Sequence, residues 1–169
     1  MGQTMRRDAA SNDSELLETI DAVKVAVVGI LRDAGPLVTV YFAESCYEKN
    51  DEYRALLSSP EVVAALKEYV LRAAEHRLVV VSHTRAYERM LADAGIDMTR
   101  VDYYLMGEFQ ATRYAFACIS TVRPDGVPVC WHAPHDSKCG YLACDNDRSR
   151  QVLTATARIM NVVERPVDA

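Results

Sequence analysis

PLVTVYFA, Pro36 to Ala43, is apolar at nearly every position. A strand of that kind belongs in a sheet covered on both sides, because a sheet with one wet face alternates apolar and polar residues. The flanking sequence fits this placement. A charged stretch, Glu44 to Arg54, reads as a loop leading into a short helix. Ser58 and Glu61 stand at capping-box spacing, while Ser59-Pro60 offers a second cap with proline at the first helical position. A helix is therefore expected from Pro60 to about Glu75, with Val62, Val63, Leu66, Val70 and Ala73 on one face. Leu78 to Val81 follows as a short buried strand ending in Ser82-His83-Thr84. A third helix runs to Ala94 with Gly95 as its left-handed cap, and Val101 to Met106 is the next strand. Strand–helix–strand–helix–strand from Pro36 to Met106 predicts crossover connections and a parallel sheet.

Upstream, Leu16, Ile20, Val23, Val27 and Leu31 recur at helical spacing, so a first helix is expected from Ser14 to Asp33, stopped by Gly35-Pro36. Residues 1–13 are polar and aperiodic, as in a flexible tail. Downstream the pattern changes. Residues 113–123 and 127–133 read as two strands joined by Arg123-Pro124-Asp125-Gly126, a hairpin turn signal. Tyr141–Cys144 adds a short strand, and a last helix from about Asp147 to Val163 buries Val152, Ala155, Ile159 and Val163. The expected fold class is α/β, with two or three layers. The sheet is mixed: a parallel N-terminal part is followed by an antiparallel hairpin and a C-terminal helix, all in one domain over residues 14–165.

Composition narrows the function. The chain has 169 residues, half of them hydrophobic, and a net charge of −5. Such an acidic balance argues against nucleic-acid binding, which depends on neutralising phosphates. The longest apolar run, Val25–Leu31, falls far short of the ~20 residues a bilayer core requires. Five cysteines, an odd number without a secretory signal, point to reduced thiols in the cytoplasm.

Chemistry concentrates in the hairpin. With Gly126 left-handed in a three-residue loop, Thr121 pairs with Val129, Ile119 with Trp131 and Ala117 with Ala133, forming a core face. The opposite face then pairs Ser120 with Cys130 and Cys118 with His132, gathering two thiols, an imidazole and a hydroxyl. A slip of one residue would turn one strand's side chains over. Just beyond lie His135, Cys139 and Cys144, in CWHAPHDSKCGYLAC (Cys130 to Cys144). Thiolate and imidazole are the borderline-soft donors zinc prefers, and Cys130, His132, His135 and Cys139 are the first choice of metal ligands. No Cys-x2-Cys knuckle is present, and the thiols are equally explained as small buried apolar residues.

A second candidate lies at the carboxyl ends of the parallel strands, where open α/β sheets collect ligands. Cys46 and His83 form a possible nucleophile–base pair with Glu44 orienting the imidazole, suited to acyl or thioester chemistry. Ser82 and Thr84 are ligand-binding candidates at the same edge, with helix capping as their alternative role. None of the seven glycines forms a phosphate-binding loop. The leading expectation is a ligand-binding or regulatory domain, metal-responsive through its Cys/His cluster. Its partner is a small molecule or another protein; the alternative is a small Cys/His enzyme.

Ala117–Val129 (ACISTVRPDGVPV) and Tyr141–Leu153 (YLACDNDRSRQVL) resemble a hairpin and a strand-to-helix step of flavin split-barrel proteins. The resemblance spans about twenty-five residues and implies an FMN phosphate near Ser149 and Arg150. The parallel pattern before it departs from a split barrel.

Overall fold

The computed structural model describes residues 14–42, 51–107, 116–134 and 139–160. In chain order the elements are β1 (Glu15–Leu16), α1 (Ile20–Arg32), β2 (Leu37–Phe42), α2 (Asp51–Leu57), α3 (Pro60–Arg72), β3 (Arg77–Ser82) and α4 (Ala86–Asp93), then β4 (Val101–Leu105), β5 (Phe116–Val122), β6 (Pro128–Pro134), β7 (Tyr141–Cys144) and α5 (Asp147–Met160). The strands form one seven-stranded sheet in the order β1-β7-β6-β5-β2-β3-β4. β2, β3 and β4 are parallel, and every other pairing is antiparallel. The mixed α/β architecture read from the sequence is the observed one.

One face of the sheet packs against α1 to α4. Val38, Val40, Phe42, Leu78, Val80, Ile119 and Trp131 from the strands meet Val23, Val27 and Leu31 of α1, Leu66 and Val70 of α3, and Tyr87 of α4. Residues alternate across a strand, so Tyr41, Val79, Val81, Cys118, Cys130 and Ala143 face the other way, toward Val152 and Ile159 of α5. Helices thus lie on both faces, which makes three layers and explains why β2 and β3 lack polar alternation.

Several boundaries follow local chemistry. Of the two candidate caps for α3, Ser59 is the one used: its hydroxyl accepts from the Val62 amide, whereas Ser58 donates to the Arg54 carbonyl. Gly95 takes the left-handed conformation after α4, and Gly126 does so in the hairpin. The expected first helix from Ser14 is corrected. Glu15–Leu16 pairs with β7, and Thr19 starts α1 by accepting the Ala22 amide. Leu16, expected on the apolar face of that helix, is 56% exposed. In the last helix Thr156 is buried rather than Ala155, its hydroxyl donating to the Val152 carbonyl.

The junction before β2 is tight. The Thr121 hydroxyl donates to the Leu37 carbonyl and accepts from the Gly35 amide. A Cβ on Gly35 would lie 2.0 Å from the Val122 carbonyl oxygen, so only glycine fits there. No described helix is long and apolar enough to cross a membrane.

Candidate functional site

The hairpin register places Ser120 beside Cys130 and Cys118 beside His132. Extending those rungs across the sheet defines two rows on the α5 face. The upper row reads Tyr141, His132, Cys118, Tyr41, Val81, Tyr104. The lower row reads Ala143, Cys130, Ser120, Thr39, Val79, Asp102. Small polar groups therefore occupy the middle of a face that a core would fill with branched apolar side chains.

Cys118, Cys130 and Ser120 form a buried floor, while Phe116, His132, Tyr141 and Arg148 are half-buried around it. Phe116 stacks on Tyr41 at 4.4 Å and meets the His132 ring edge-on at 5.5 Å. From the start of α5, the Arg148 guanidinium lies over the Tyr141 ring, 5.6 Å from its centroid. The position of α5 is set by a reciprocal cap: Asn146 Oδ1 accepts the Ser149 amide, and Ser149 Oγ accepts the Asn146 amide.

Electrostatically the floor is neutral. Burial raises the Cys118 thiol well above its ordinary value and pushes Cys130 up to about 12. Burial, reinforced by Arg148, lowers His132 to about 4. At neutral pH the cluster thus holds two protonated thiols and an uncharged imidazole. Thiolate is the form that attacks electrophiles, so nucleophilic chemistry is disfavoured here. The more telling observation concerns hydrogen bonds. Ser120 Oγ and His132 Nδ1 are buried with no partner among the described residues. Buried polar atoms are normally paired, and leaving one unpaired costs about 1–3 kcal/mol.

Among the described residues the zinc set does not assemble. Cys130 packs on the α5 face, whereas Cys139 packs in the core on the opposite side, where its carbonyl accepts from Trp131 Nε1. His135 lies outside the described residues, and among those described no group of three or more His, Cys, Asp or Glu side chains is placed to hold a metal. The proposed ligand residues separate in the same way. Ser82 sits level with Phe42 on the α1–α4 face, while Cys118 and Ser120 lie on the other. Ser82 Oγ accepts the Thr84 amide and Thr84 Oγ1 accepts the Ala86 amide, so both serve the turn into α4. His83 stands at the carboxyl end of β3 and donates through Nδ1 to the Met106 carbonyl; Glu44 and Cys46 lie outside the described residues. The phosphate-binding pair is otherwise engaged: Ser149 caps α5, and Arg150 pairs with Asp145 and Asp147.

Sequence reasoning missed Arg148. Its signal was its place one turn from the buried Val152 on a helix that returns over the hairpin, which only the packing of α5 reveals. A groove of about 500 Å³ at the hairpin-turn end of the sheet is lined by Arg32, Arg72, His76 and Arg123. Two of its cations are committed: Arg72 donates to the Leu31 and Arg32 carbonyls at the end of α1, and Arg123 is held by Asp125. No family model, curated protein or solved structure matches the chain.

Proposed function

We propose that the chain is a ligand-binding regulatory domain whose site is the sheet face carrying Cys118, Ser120, Cys130 and His132. The observation that carries this reading is the pair of buried, unpartnered atoms, Ser120 Oγ and His132 Nδ1, on one face of one hairpin. A small polar molecule seated there supplies the missing hydrogen bonds. The half-buried rings of Phe116 and Tyr141 stand beside them, as in pockets that combine apolar walls with a few convergent polar groups. Arg148, Ser149 and Val152 bring α5 onto the same face, so occupancy is communicated to the helix that covers the site. The protonated thiols favour binding over nucleophilic chemistry.

The test is a thermal-shift screen of small polar metabolites against wild type, Ser120→Ala and His132→Asn. A ligand at a hundredfold excess over its Kd adds about 2.7 kcal/mol, or roughly 5–10 °C for a chain of this size. A rise in wild type that is lost in both variants is expected. Rises that persist in both variants, or a panel without any, reject the reading.

A further inference from the structure

Among the described residues at the rim, Arg148 is the one whose charge is unanswered. It has no hydrogen-bond acceptor and no ion-pair partner among the described residues, although Arg150, two positions on, is paired with both Asp145 and Asp147. Its guanidinium face is occupied by Tyr141, which leaves the in-plane N–H edge available. That edge is a fork of donors matching the two oxygens of a carboxylate. Nearby, His132 is uncharged and its Nδ1 is unpartnered. Phe116 meets the His132 ring edge-on, and Tyr141 is its neighbour across the ladder on the other side.

We propose that the molecule bound here is a small planar carboxylate, its anionic end in a two-point ion pair with Arg148 and its ring beside His132. The inference rests on the binding-domain reading above and names its ligand class. A single cation suits a monoanion. A phosphate dianion requires more positive charge and meets Asp145 and Asp147 at the start of the same helix. Stacking of the Arg148 guanidinium on Tyr141 accounts for the cation–π contact alone. It leaves the free donor edge and the unpartnered imidazole nitrogen of its neighbour unexplained.

Benzoate and its neutral isostere benzamide are the probes, followed by the ring signals of His132 in NMR titrations of the full chain. Benzoate is expected to shift those signals saturably, and benzamide to bind at least tenfold more weakly. Arg148→Gln should weaken benzoate by tenfold or more and leave benzamide unchanged. Arg148→Lys, which keeps the charge without the fork, should fall between, and it carries the test if the glutamine variant misfolds. Benzamide binding as tightly as benzoate, or benzoate indifferent to both substitutions, overturns the carboxylate while leaving the binding site standing. Silence of His132 toward both probes overturns the carboxylate as well, and the thermal screen with Ser120→Ala and His132→Asn then decides the binding reading by itself.

Discussion

At the scale of single residues, the unpartnered atoms make an unusual demand on mutagenesis. Ser120→Ala removes a buried hydroxyl that bonds to nothing described, so the unliganded protein should become more stable by about 0.5–1 kcal/mol. Chemical denaturation measures this, and a loss of stability means that the hydroxyl is satisfied. His132 sets a pH signature. Its folded value of about 4 lies below the ordinary 6.5, so between those values the unfolded chain takes up a proton that the native ring refuses. Stability is complete above pH 6.5 and declines as pH falls toward 4. His132→Asn should flatten that decline by about 1–2 kcal/mol, after allowance for the ring's partial exposure. Denaturation midpoints across the window read it directly. Two glycines separate backbone strain from crowding. Gly126 and Gly140 both have positive φ, but a Cβ on Gly126 meets nothing, while one on Gly140 lies 2.4 Å from the His132 carbonyl. Gly126→Ala should cost about 1 kcal/mol and Gly140→Ala several times more. Equal costs in melting experiments contradict the close approach of that turn to β6.

Elements were legible where one local signal fixed them. The turn at Gly126 sets the hairpin register rung by rung, because the side-chain period of two admits only one pairing that buries Ile119 against Trp131. The same reasoning brought Cys118 to His132 and Ser120 to Cys130. The first helix was overextended because Leu16 continues the 3.6-residue pattern by coincidence. Periodicity carries no information about a neighbouring strand seeking an edge, and β7 claimed Glu15–Leu16. Cys139 was misgrouped with Cys130 because closeness in sequence says nothing about which side of a sheet a returning loop packs on. The cap of α5 is the element-scale test. Asn146→Ala removes the acceptor for the Ser149 amide and should cost about 1 kcal/mol, with hydrogen exchange accelerated in the first turn of α5. Unchanged exchange there contradicts the reciprocal cap.

Across the whole molecule, α5 lies over the part of the sheet that carries the candidate site, and the thiols report on it. In a C46S/C139S/C144S background, Cys118 and Cys130 should react slowly with a disulfide reagent in the full chain and rapidly in one ending at Asn146. Equal rates rule out α5 as the cover. The alternation of strands and helices announced the layers, but it did not announce Arg148, whose position depends on a helix crossing back over strands that precede it. The central strand has a further consequence, for synthesis. β2 is flanked by β3 and by β5, and the bond from Thr121 to Leu37 spans 84 residues. Pairings that distant form late, since the intervening loop must close first. As the chain emerges from the ribosome, the edge of β2 destined for β5 waits, open and greasy, until the hairpin has been made. A cell producing this protein therefore has reason to shield nascent residues 37–42, and crowded expression should fail by aggregation at that strand before the finished fold ever becomes unstable.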